Sequence, residues 1–289
     1  MKYTTFPRAI EIQTISACNA KCVVCPHPHV SQELPSGVMD MQTFCRVIDQ
    51  VDSSWGSRII PYLNSEPLMD PLIMHRLRYI NARLGHSEVE LSTNVSTLTP
   101  SKQKMMEGIC LSELRLSVFG FTEKTHKIIM PGLSWKTVKQ NLDYLVVNES
   151  LRKCIEQIDV VMINHELVTT EDIEIARHYC EKHSLVFNLW GFLDRAGNVE
   201  RFSNQINHPI IVGCEQNRPL ERMHITFTGD VILCCQDWRW YNIIGNVKCQ
   251  SLLEIWNSEA YQHYRESIYS ARGEHPEVCT RCKLSVQPN

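Results

Sequence analysis

Residues 12–29 read IQTISACNAKCVVCPHPH and put Cys18, Cys22 and Cys25 in one loop, with three and then two residues between them. Three thiolates from one loop hold three irons of a cubane iron–sulfur cluster and leave the fourth iron without a protein ligand. That open iron is the functional point of the stretch. A competing reading pairs Cys22 and Cys25 with Cys279 and Cys282 as a four-thiolate zinc site. It leaves Cys18 without a role.

The chain around this loop is ordinary in bulk. Its 289 residues bury a full core, as one large domain or one domain with an appendage. The hydrophobic share is 43%, and no run approaches the roughly 18 apolar residues that a membrane helix needs. The opening MKYTTFPRAIEI has no apolar core followed by a small-residue cleavage site, so no secretory signal is read there. Thirteen cysteines without export point to a reducing, cytoplasmic setting in which thiols serve as ligands or reactive groups. A net charge of -3 without a cluster of Lys and Arg excludes an electrostatic footprint for nucleic acid, and the acidic balance suits a cationic substrate.

From residue 9 onward, short β-type runs alternate with helical segments, the pattern of parallel α/β architecture. The expected strands are residues 9–15, 59–64, 88–93, 113–118, 158–163 and 185–190. Between them, Asp70-Pro71 opens a helix that Gly85 closes, Thr99-Pro100 opens another, and Ser134 caps a third whose core side is Trp135, Val138, Leu142 and Leu145. Several strands carry polar residues at alternate positions: Glu11 and Gln13, Tyr62 and Asn64, Glu90 and Ser92, Arg115 and Ser117, Asn188 and Trp190. Alternate residues share a face, and a packed barrel would fill that face with Val, Ile and Leu. The expectation is therefore an α/β barrel whose lumen takes a polar ligand. The competing arrangement is an antiparallel sheet with its polar face in water.

Residues 202–208 are polar and without strand pattern, which places a boundary between a first domain, 1–200, and a second, 201–289. The second holds Cys214, then Gly229 after fourteen intervening residues, then Cys234 after four more, and the pair Cys279 and Cys282. Four thiolates complete a [4Fe-4S] centre with no open iron, which suits structure or electron transfer. Ser251 and Glu254 form a capping box that starts a helix. Cys45, Cys110, Cys154 and Cys180 lie in or beside amphipathic helical segments and read as small buried residues.

The cysteine loop resembles that of the radical S-adenosylmethionine (SAM) enzymes, with Val24 where members carry an aromatic residue. In that family the open iron chelates SAM. The resemblance extends to Asn64-Ser65-Glu66-Pro67, which stands in place of the family's Gly-Gly-Glu-Pro turn without its two glycines. It implies that Ser65 and Glu66 receive the SAM amino group, and that Asn94 and Ser117 hold its ribose or carboxylate. His27 and His29 are given no role. Beyond residue 200 the phrases HITFTGDVILCCQD and GNVKCQSLLEIW resemble the cysteine-rich SPASM or twitch extension. They imply an auxiliary cluster on Cys214, Cys234, Cys279 and Cys282, with Cys235 as the fallback for Cys234.

The resemblance as a whole implies a partial (β/α)6 barrel with a small C-terminal iron–sulfur domain, two [4Fe-4S] clusters, SAM, and a reductant such as flavodoxin or ferredoxin. A reduced cluster of this kind cleaves SAM to methionine and a 5'-deoxyadenosyl radical, which takes a hydrogen atom from carbon. One auxiliary cluster together with an extra thiol, Cys249, most resembles the aminoglycoside epimerase that converts neomycin C to neomycin B. On that reading Cys249 returns a hydrogen atom to the opposite face of a sugar carbon. The alternatives are a dehydrogenase oxidising an aminocyclitol or sugar alcohol, a peptide-modifying enzyme, which the lack of a leader-recognition domain before residue 9 disfavours, and a non-catalytic metal-binding module. Neither nucleic acid nor membrane is an expected partner.

Overall fold

The strands form where β-branched and Leu-rich runs meet, and the architecture follows from how they pair. The computed structural model describes residues 3–85, 88–202, 206–270 and 273–288. Strands β1 (Ala9–Ile12), β2 (Arg58–Ile60), β3 (Glu90–Thr93), β4 (Leu111–Ser117), β5 (Ile155–Asn164) and β6 (Val186–Gly191) run in chain order. β1 pairs in parallel with β2, and β3 to β6 pair in parallel with one another. The two groups are stitched by the parallel bridge Ile59 to Val89 and a 2.8 Å bond from Ile59 N–H to the Glu88 carbonyl. The connections carry helices such as Met41–Ile48, Ile73–Leu84, Trp135–Val147 and Thr170–His183. The result is the expected α/β partial barrel.

All six strands occur, though three are shorter than expected, β3 beginning only at Glu90. β1 stops at Ile12: the Gln13 N–H makes a last bond to the Ile225 carbonyl, and the chain then enters the cysteine loop. β2 stops at Ile60 because Pro61 has no N–H to extend the ladder. Thr99 and Ser134 cap their helices by accepting the N–H groups of Lys102 and Thr137. Asp70 does something else: the helix begins at Ile73, and Asp70 accepts from the Leu72 N–H and pairs with Arg76 Nε at 2.8 Å. Both side chains of that pair are 0% exposed, so removing one partner costs about 3–5 kcal/mol. Arg76 also bonds the Met39 carbonyl, which ties the turn after β2 to the segment after the cysteine loop.

The C-terminal segment continues the barrel sheet. β7 (Gly213–Cys214) pairs with the late strand Ser285–Val286, while β8 (Arg222–Ile225) lies parallel to the free edge of β1. β9 (Asp230–Ile232) and β10 (Ile243–Asn246) add antiparallel strands beyond it. Gly229, at φ +94, makes the turn between β8 and β9. Within the polar stretch 202–208, residues 203–205 lie outside the described residues. Among the described residues no helix is long and apolar enough to cross a membrane.

The polar strand faces divide into two layers. At the strand starts, Arg58 bonds Glu90 at 2.9 Å and Glu113 at 2.8 Å, Arg115 pairs with the same two carboxylates, and Tyr62 donates to Glu90. These residues neutralise one another and floor the barrel. Nearer the strand ends, Asn64, Ser92 and Ser117 face an open lumen.

Candidate active site

The loop after β1 is held by three neighbours. Lys21 N–H bonds the Pro131 carbonyl at 2.8 Å, Val23 N–H bonds the Ile129 carbonyl at 2.9 Å, and the Ala17 carbonyl accepts from Glu66 N–H at 3.0 Å. Asn94 Nδ2 donates to Asn19 Oδ1 at 2.9 Å. Cys18, Cys22 and Cys25 thereby converge at the rim of the lumen. Burial pushes all three thiols up, Cys18 to about 12, and at Cys22 the neighbouring Cys25 and Cys18 add to the effect. Crowded, desolvated thiols of this kind become thiolates only against a cation. The donor set therefore fits an iron–sulfur cluster.

The turn after β2 faces the same space. Asn64 adopts φ +52, a left-handed conformation that Asn tolerates better than most residues, so the turn forms without the family's glycines. Asn64 Nδ2 and Ser65 Oγ are buried there without a hydrogen-bond partner and line the lumen. Buried polar atoms left unpaired are costly, which fits a polar ligand such as SAM at this turn. Glu66 is 2% exposed, and its carboxylate accepts from Thr93 Oγ1 at 2.7 Å, Leu68 N–H at 3.2 Å and Asn94 N–H at 2.7 Å. Burial raises its pKa and these bonds oppose the rise. Among the described residues Oε2 carries only the Asn94 bond, which leaves it a lone pair for a ligand ammonium. Asn94 is itself committed as a brace, its Oδ1 accepting from Ser96 N–H at 3.0 Å, and the following Val95 sits at φ +69. A β-branched residue there marks local strain. Ser117 lies 3.3 Å from Ser92 at the end of β4 and faces the lumen.

The second thiol group is assembled from three places: Cys214 on β7, the pair Cys234 and Cys235 after β9, and Cys279 and Cys282 around a short helical turn. Burial, then the Cys282 and Cys214 thiols, push Cys279 up, so these sulfurs crowd as the first three do. In the adjacent pair the hydrogen bond from the Cys234 thiol to the Cys235 sulfur holds Cys235 well below the ordinary thiol range and Cys234 well above it, with Arg218 beside both. Cys235 faces the lumen. It also adjoins His224, whose Nε2 is 3.3 Å from Glu11 Oε1; burial opposes charging of the ring, but Glu11 and Cys235 outweigh it and hold His224 at about 9.

The lumen measures about 860 Å³, inside the range of about 300–1,000 Å³ for small-molecule sites. Its charged side chains are Glu11 and Glu66 against Arg115, Arg195, Arg218 and Arg222. Glu11 is engaged by Arg222 at 3.2 Å.

Residues 12–162 match the pattern of the radical SAM superfamily, and residues 214–283 match that of an iron–sulfur cluster-binding domain, SPASM. The chain belongs to the radical SAM superfamily. Among curated proteins it is 22% identical over 280 residues to the S-adenosyl-L-methionine-dependent 2-deoxy-scyllo-inosamine dehydrogenase of Niallia circulans, covering 96% of this chain and 94% of that one. Among solved structures, BtrN in complex with AdoMet and 2-DOIA superposes with a TM-score of 0.68 at 17% identity, covering 100% of this chain and 97% of that one. Streptococcus suis SuiB bound to precursor peptide SuiA gives a TM-score of 0.72 at 15% identity, covering 98% of this chain and 71% of that one. The cofactors of this radical SAM protein are SAM and iron–sulfur clusters.

Cys249 is not brought to the site. It is exposed in the loop after β10, where Val247 accepts from Arg46 and Lys248 lies 3.6 Å from Asp40, on the helix side of the barrel. A hydrogen donor must face the lumen, and the thiol that does so outside the loop after β1 is Cys235, expected only as a substitute cluster ligand. Sequence reading also passed over Arg195, Arg218 and Arg222. Arg195, Ala196 and Gly197 are successive left-handed residues, at φ +56, +54 and +78. The signal available for them was the run RAG after β6, two non-glycine residues and a glycine with no strand or helix pattern.

Proposed function

We propose that this radical SAM protein is a dehydrogenase that oxidises a hydroxyl-bearing carbon of a small, lightly charged aminocyclitol or related polyol. The observation that carries the reading is that the C-terminal segment that bears the second thiol group walls the same lumen that the first group faces: Cys235, next in the chain to Cys234, lines it, while Cys214, Cys234, Cys279 and Cys282 lie behind that lining. Cys235, Arg218, Gln216 and Leu284 of the C-terminal segment form part of its wall. When bound, the first cluster and SAM supply a 5'-deoxyadenosyl radical that removes hydrogen from carbon. The remaining substrate radical would become a ketone by losing its hydroxyl proton to solvent and one electron to a cluster held behind the Cys235 wall. We assign the first cluster to Cys18, Cys22 and Cys25 and the second to Cys214, Cys234, Cys279 and Cys282. Ser65, Glu66 and Ser117 present polar atoms to SAM, and Asn94 positions Glu66. The likeness to a 2-deoxy-scyllo-inosamine dehydrogenase supports the substrate class. So does the lining, because an amine-rich aminoglycoside would call for several unpaired carboxylates, and Glu11 is taken by Arg222. An acidic one-electron carrier would serve as reductant.

One observation favours a second reading. Cys235 places a thiol in the lumen wall, where it serves to return a hydrogen atom in an epimerisation. Anaerobic incubation with SAM, reductant and 2-deoxy-scyllo-inosamine in deuterium oxide separates the two. A product lighter by two hydrogens supports dehydrogenation. An isomer carrying one solvent deuterium, lost in Cys235→Ala, supports epimerisation and overturns the first reading.

A further inference from the structure

The first cluster site has a second face, turned away from the lumen. A surface cavity of about 540 Å³ there has Lys21, Cys22, Cys25, Val199 and Arg201 in its lining, together with Glu33 and Arg239. It reaches the backs of two of the three thiol residues of the loop after β1. Lys21 and Arg201 are exposed, and Arg239 is paired with Glu33 at 2.9 Å, so the cations that remain to meet a partner are Lys21 and Arg201. Next to this face, the helix Glu123–Ile129 carries exposed Lys124, Lys127 and Ile128 and supports the loop through the bond from Val23 to Ile129. The whole chain has a net charge of -3, so this local excess of cations runs against the balance of the protein.

We propose that this face is the docking surface for a small acidic one-electron carrier protein that reduces the first cluster. The step moves one electron: the carrier is oxidised by one, the cluster is reduced by one, and no atom changes hands. The lumen side is unsuited to this exchange, because SAM and substrate occupy it during turnover. The back of the loop leaves only the residues around Cys22 and Cys25 between the cluster and a docked protein. Apolar Val23, Pro28 and Val199 in the lining beside Lys21 and Arg201 suit an encounter of the size seen for redox partners, under about 1,200 Å². Opposite charges steer such encounters and make them salt-dependent.

The inference rests on the three-cysteine loop holding the SAM-binding cluster, which the test checks separately. The probe is a plant-type ferredoxin kept reduced by its reductase, compared with excess reduced methyl viologen, a small cation that needs no docking face. In the double variant Lys21→Glu with Arg201→Glu, SAM cleavage driven by methyl viologen and the reduced-cluster EPR signal are unchanged. Ferredoxin-driven cleavage falls about tenfold or more at low salt, the scale of electrostatic steering, and the deficit narrows as salt is raised. Carbodiimide cross-linking of ferredoxin to the parent protein joins Lys21, and the yield drops in the variant. A ferredoxin dependence and cross-linking yield equal to the parent's would overturn the proposal. So would the same loss from Arg281→Glu with Lys283→Glu near the second cluster site, because it would move the docking face there. Loss of methyl viologen-driven cleavage in Cys25→Ala shows that the cluster assignment stands independently of either result.

Discussion

In the loop after β1, Cys18, Cys22 and Cys25 come from eight consecutive residues, whereas the C-terminal thiols come from β7, the end of β9 and the turn around Cys279 and Cys282. Both groups are crowded and desolvated. They differ in what closes them. The first is complete within its own loop and is only steadied by Pro131, Ile129 and Glu66. The second exists only once β7 has paired with the last strand and β8 has joined β1. Three thiolates leave a corner open to a ligand, and the four of the second set close on the cluster. The contrast explains why one site faces chemistry and the other suits electron transfer.

The largest effect is expected from replacing Cys18, Cys22 and Cys25 together with Ala. SAM cleavage should vanish and iron should fall from about eight to about four per chain, as two cubanes become one. A SAM-induced change in the spectrum of that triple variant would break the contrast at its root. Removing Cys279 and Cys282 should act in the other direction: SAM is still cleaved, the oxidised product falls to background, and the thermal midpoint drops, because ligands drawn from distant strands couple metal binding to folding. Retained oxidation would show that the second site is no electron acceptor.

A smaller effect is expected at the turn after β2. Glu66→Gln keeps the shape but weakens the ammonium contact, worth about 1.5–3 kcal/mol, so SAM affinity should fall roughly ten- to a hundredfold by titration. Unchanged affinity would make Glu66 purely a brace for Thr93 and Asn94. The smallest effect belongs to Cys249→Ala: at an exposed position away from the lumen, product formation should stay within about twofold of the parent. Loss of product there would restore Cys249 as a hydrogen donor and require the loop after β10 to move.

Much of this was legible in the residues themselves. The cysteine spacing, the alternation of strands and helices, the caps at Thr99, Ser134 and Ser251, and the polar strand faces are local patterns, and local patterns survive in one dimension. The polar face was read as ligand-binding throughout, but Glu90, Arg115 and Tyr62 proved to be a floor, because Glu90 on β3 is bonded from both sides by Arg58 of β2, Arg115 of β4 and Tyr62.

The sequence by itself determined the superfamily, the order of the parallel strands and the three-cysteine loop, since each depends on residues close together in the chain. Tertiary structure decided which thiol faces the lumen. Cys235 does and Cys249 does not, because β8 pairs with β1 while the loop after β10 packs toward the helix Met41–Ile48. It also decided the charge of the lumen: Arg195, Arg218 and Arg222 lie far along the chain from Glu11, and only sheet pairing brings an Arg222 guanidinium within 3.2 Å of that carboxylate. Contacts between residues two hundred positions apart depend on how the strands pair, and no local pattern records that.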